Sequence, residues 1–174
     1  MGAGKTAVLA EASDLLSQRK IAHGAIDLDA LGLAYLPDRA PSDAVMYDNL
    51  RSVVGNYAGL GVRRFLVARA IENDTQLRLC RGNIPAANTV VCRLTASIET
   101  AEHRVATRDS GMLQREYVAR VAELASILDR AHLEDFEVLN EDRDVTRVAL
   151  EILIRAGWIP SDQPRASSAS LALL

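Results

Sequence analysis

The sequence predicts an α/β domain in which a parallel sheet lies between two layers of helices. Short apolar runs of strand length alternate with longer segments whose apolar residues recur at helical spacing. Alternation of this kind implies parallel pairing through right-handed crossovers, with helices on both faces of the sheet. Size agrees: 174 residues, 49% of them hydrophobic, make one domain with a real core.

Taken in order, Val8, Leu9, Ala12, Leu15 and Leu16 share one helical face, so a helix is expected from Gly4 to about Lys20. The run 21–27 is short, apolar and followed by carboxylates, which suits a buried strand ending at a polar edge. A second helix is expected from Ser42 or Asp43 to Gly59, a strand over 63–71, and a short helix capped by Asn73 or Asp74 and running through Leu79. Val90, Val91, Cys92 and Leu94 mark a strand over 88–94, and Thr95 or Ser97 caps a helix from Ile98 to about Asp109. Beyond Gly111 a longer helix is expected over 112–131, then a strand over 136–140, and a last helix carrying Val145, Val148, Ala149, Ile152 and Leu153 that stops at Gly157 and Pro160. Residues 1–160 form the expected domain. Residues 161–174 are rich in Ser, Ala and Pro without periodicity and read as a mobile tail.

The formal net charge of −3 and a pI near 5.6 argue against a broad surface for nucleic acid or anionic lipid, so an anion site must be concentrated. No apolar run approaches the roughly 20 residues of a membrane span, and no secretory signal opens the chain, so a cytoplasmic protein is expected. Cys80 and Cys92 lack metal-ligand spacing and read as reduced structural thiols; His23, His103 and His132 are scattered singly.

The chain opens Met1-Gly2-Ala3-Gly4-Lys5-Thr6, the second half of the phosphate loop G-x-x-x-x-G-K-[ST]. Glycine lets backbone N–H groups turn onto phosphate oxygens, a lysine bridges the terminal phosphates, and a threonine hydroxyl takes a place on Mg²⁺. The helix that follows adds its positive dipole end. The first glycine of the full loop and the strand before it would lie ahead of Met1, so the expectation is a start further upstream or a truncated form. Asp27 and Asp29, two apart at a strand end, can both lean over this loop, one toward a metal and one toward an acceptor hydroxyl. A helix cap plus a solvated carboxylate is the competing reading.

With these residues the chain resembles the P-loop kinases of the shikimate kinase, adenylylsulfate kinase and gluconate kinase type, over roughly residues 2–158. The resemblance implies a P-loop nucleoside triphosphate hydrolase fold and γ-phosphoryl transfer from MgATP to a small-molecule acceptor. It assigns Gly2, Ala3, Gly4, Lys5 and Thr6 to the phosphates, Thr6 and Asp27 to Mg²⁺, and Asp29 to the acceptor. Members of the family close an arginine-bearing lid over the phosphates, and Arg104 and Arg108, four apart on one helical face, fall in that interval. A solvated helix in which Glu99, Glu102 and Asp109 partner the arginines is the other reading. Adenine in these kinases packs near the loop after the last strand, here 140–144, where Arg143 could stack on the base. No N-K-x-D motif is present, which favours ATP over GTP.

Where shikimate kinases carry Gly-Gly, this chain has Arg69, which could bind an anionic substrate or pair with Glu72. Tyr35, Tyr47, Arg51, Asn56 and Tyr57 flank the expected acceptor pocket, and tyrosines so spaced are more often packing residues. The expected partner is a small molecule, with no nucleic acid or membrane, and the protein a monomer or homodimer. A nucleotide-binding or regulatory protein without phosphoryl transfer is the alternative.

Overall fold

The computed structural model describes residues 1–33, 43–85, 88–108, 110–160 and 170–173; Tyr35, Ser42 and Asp109 lie outside them. Helix α1 (Lys5–Gln18) is followed by β1 (Gly24–Asp27), a 3₁₀ turn (Asp29–Gly32), α2 (Asp43–Gly59), β2 (Arg64–Ala68) and α3 (Asp74–Asn83). Then come β3 (Asn88–Thr95), α4 (Ile98–Arg108), α5 (Gln114–Ala131), β4 (Phe136–Leu139), α6 (Val145–Arg155) and β5 (Ser170–Leu173).

Each strand offers alternate side chains to opposite faces, and the helices divide accordingly. Leu66, Ala68, Cys92, Leu94, Val138 and Ala172 pack with Val8, Leu16, Ile152 and Leu153 of α1 and α6. Phe65, Val67, Val91 and Leu173 pack on the other face with Leu50 and Val54 of α2 and Leu77 and Cys80 of α3. The result is helices over both faces of one sheet, as three apolar layers require. Ala101 and Val105 of α4 meet Val121 of α5 in a smaller cluster.

All five strands run parallel in the order β1-β2-β5-β3-β4. The central position belongs to residues 170–173, within the span where the sequence suggests a mobile tail. Phe65 and Val67 of β2 register with Leu171 and Leu173, and Val91 of β3 registers with Leu173. The physical reason is that β2 and β3 would otherwise leave buried donors and acceptors unpaired, each costing on the order of a kcal/mol or more. A four-residue segment ending Leu171-Ala172-Leu173 is too short to register as periodic, yet its backbone pairs with both neighbours while Ala172 and Leu173 bury on opposite faces of the sheet.

Several boundaries differ from the expected ones. Ile21 donates its amide to Leu16 O at 3.0 Å, closing α1 and keeping residue 21 out of β1. Helix α3 continues to Asn83, whose side chain donates to Leu79 O at 2.8 Å and accepts from Arg51 at 2.9 Å. Residues 111–113 form a turn before α5, with Met112 98% exposed. Both cysteines are free and buried, and burial pushes the Cys80 thiol up to about 11 and the Cys92 thiol up to about 12. Among the described residues no helix is long and apolar enough to cross a membrane.

Candidate phosphate-binding site

Because the sheet is parallel, every strand delivers its carboxyl end to one edge, and the start of α1 sits there. Gly2 and Gly4 adopt positive φ of 73° and 87°, a region open to glycine at little cost. Side chains are excluded at both. A Cβ on Gly2 would come within 2.3 Å of Ala101 O in α4, and one on Gly4 within 2.4 Å of Asn140 Nδ2.

Beyond that turn, Val8 N bonds back to Gly4 O at 3.0 Å. The amides of the first helical turn have no partner within the helix and carry its partial positive charge. A cavity of about 520 Å³ lies against them. Gly2, Gly4, Lys5 and Thr6 line it together with Asp27 from the end of β1, Asp29 from the 3₁₀ turn that follows, and Arg104 and Arg108 from α4. Thus eight sequence-derived candidates, drawn from three separate segments, meet around one space. Ala3 lines a second, smaller cavity of about 70 Å³ beside Lys5 and Arg69.

The polar contacts define the chemistry further. Thr6 Oγ1 donates to Asp27 Oδ2 at 2.7 Å, and Asp27 Oδ1 accepts the Asp29 amide at 3.2 Å. Burial holds the Lys5 ammonium below the usual lysine range; Asp29 and Asp27 oppose the shift, while Arg108 and Arg69 add to it. The Arg104 guanidinium donates to Asn140 O at 2.9 Å and to Gly2 O at 3.4 Å, so it grips the glycine turn ahead of α1.

Arg69 does not pair with Glu72. Its two terminal nitrogens each lie 2.9 Å from a carboxylate, Nη1 from Asp29 and Nη2 from Asp43, while Glu72 pairs with Arg120 at 3.0 Å. Arg143 pairs with Glu151 at 2.6 Å and donates to Leu139 O at 3.1 Å. Tyr47 is buried in the core against α3, with its hydroxyl reaching Gln76 O at 3.4 Å, which is the packing role expected of such a tyrosine.

No family model, curated protein or solved structure matches the chain. Two parts of the site were missed by the sequence. Asn140 is 7% exposed and donates from Nδ2 to Ala3 O at 2.7 Å. Glu141 accepts from the Ser97 amide at 2.9 Å, the Ser97 hydroxyl at 2.6 Å and the Thr100 hydroxyl, fixing the start of α4 to the loop after β4. The only sequence signal for either was the run of polar residues directly after the last apolar strand, which marks a loop at the carboxyl edge without naming its contacts.

Proposed function

We propose that the protein transfers the γ-phosphoryl group of MgATP to a hydroxyl of a small molecule. The supporting observation is the convergence of Gly2, Gly4, Lys5, Thr6, Asp27, Asp29, Arg104 and Arg108 on one 520 Å³ cavity at the carboxyl edge of a parallel sheet, the place where such sheets bind ligands. A polyphosphate suits this corner because amides, a helix dipole and three cationic side chains face it in a protein whose net charge is −3.

The residues also fit a magnesium ion. Mg²⁺ is usually held by one or two carboxylates plus substrate phosphates and water, and the Thr6 hydroxyl and Asp27 carboxylate stand 2.7 Å apart, so both could serve it. Bound MgATP supplies the transferable phosphoryl group and a divalent charge beside it. Lys5 would offset phosphate charge from within the cavity, and Arg108 would do so from the α4 side. Asp29 is held by Arg69 through Oδ1 at 2.9 Å, and its carboxylate would take the acceptor's hydroxyl proton.

A second reading, nucleotide binding without transfer, draws on those same pairings: in this state Asp29 is ion-paired and Arg104 is engaged by two carbonyls. A thermal-shift screen of the protein with MgATP plus sugars, shikimate-like acids, adenylylsulfate and aminoglycoside-like alcohols, followed by an ADP-release assay on each hit, separates the two. A ligand that binds only the folded state raises its stability by mass action. ADP release dependent on one acceptor supports transfer. Stabilisation by MgATP with no ADP release from any acceptor supports the second reading, and no stabilisation by MgATP rejects both.

A further inference from the structure

We infer that Asn140 is a positioning residue for the phosphate turn, its side-chain amide setting the direction of the peptide that joins Ala3 to Gly4. This rests on the nucleotide reading of the cavity and deepens it. Asn140 follows directly on β4 and is anchored on three sides. Its backbone amide donates to Thr95 O at 2.8 Å, its carbonyl accepts from Arg104 at 2.9 Å, and its Nδ2 donates to Ala3 O at 2.7 Å. Only the nitrogen end of the side-chain amide can face a carbonyl at that distance, so the orientation is fixed.

In a planar trans peptide the C=O and the following N–H point in opposite directions. Drawing the Ala3 carbonyl onto Asn140 therefore aims the Gly4 N–H away from Asn140, and Gly4 lines the large cavity. The two positions are complementary in shape as well, since a Cβ on Gly4 would fall 2.4 Å from Asn140 Nδ2. Arg104 joins the same arrangement from α4 by holding both Gly2 O and Asn140 O. A residue directly after β4 thus shapes a turn 137 positions earlier in the sequence.

The test uses the whole chain and Mg²⁺ with a non-hydrolysable ATP analogue, followed by calorimetry. Asn140→Asp keeps the size and removes the donor facing Ala3 O; it is expected to weaken analogue binding about tenfold, the scale of one buried hydrogen bond, while the urea midpoint shows that the protein remains folded. Gly4→Ala is then compared in the wild-type and Asn140→Ala backgrounds. Contact between the two sites means that their effects on binding do not add, and the loss caused by Gly4→Ala is smaller once the amide is gone. Unchanged affinity in Asn140→Asp, or independent addition in the pair, overturns the inference. Hydrogen exchange of amides 2–6 provides a readout that needs no nucleotide: faster exchange in Asn140→Ala supports the positioning role, and unchanged exchange refutes it. A wild-type protein that binds no analogue defeats the nucleotide reading instead, and the exchange data then judge Asn140 separately.

Discussion

Lys5 and Glu141 carry opposite charges and are tuned by opposite means. Burial disfavours the Lys5 ammonium, whereas Glu141 is only half-buried and is pulled down to about 2 by hydrogen bonds, first from the Ser97 hydroxyl, then from the Thr100 hydroxyl and the Ser97 amide. Since the folded protein holds Glu141 below its ordinary value of 4.5, the carboxylate stabilises the fold above that pH and ceases to do so as pH falls toward 2. The stability gap between the wild type and Glu141→Gln, measured by urea unfolding, should accordingly shrink from pH 5 to pH 2, following those two values; a gap independent of pH would mean that these hydrogen bonds do not hold the charge. At this scale the sequence was readable where the chemistry is local. Gly4-Lys5-Thr6 and the Asp27–Asp29 pair announce themselves within a few positions. Asn140 and Arg69 do not, because their partners lie 137 and 40 positions away.

Helices were legible as elements because their apolar faces repeat within one segment, and their ends depended on contacts that the repeat does not encode. Asn73 is one end that local chemistry does specify: its side chain accepts the Gln76 amide at 3.0 Å, an N-cap for α3. Asn73→Ala should lower stability by about 1 kcal/mol, seen as a reduced urea midpoint with an unchanged slope. No change would show that water satisfies that amide equally well. The start of α5 was less legible. The apolar Met112 and Leu113 invited the helix to begin early, but Met112 is 98% exposed and the helix starts at Gln114. Hydrophobicity alone does not reveal whether a side chain has a neighbour to bury against.

Across the whole molecule, the alternation of strands and helices yielded the parallel α/β sheet, while the central strand could not be read from it. The sheet needs a strand between β2 and β3, and β5 supplies it from a segment with no pattern of its own. Removing residues 161–174 should abolish hydrogen-exchange protection at β2 and β3, the strands that β5 pairs, before it affects β1 or β4. Equal protection with and without the segment would place β5 outside the stable sheet. The proposed function rests on the corner where α1 begins, and calorimetry of Mg²⁺ and a non-hydrolysable ATP analogue with the wild type and Lys5→Met tests it most directly. Saturable one-site binding in the wild type, weakened severely in Lys5→Met while the variant stays folded, is the expected result. Indistinguishable binding by the two proteins, or none by the wild type, would contradict a phosphate site at this corner.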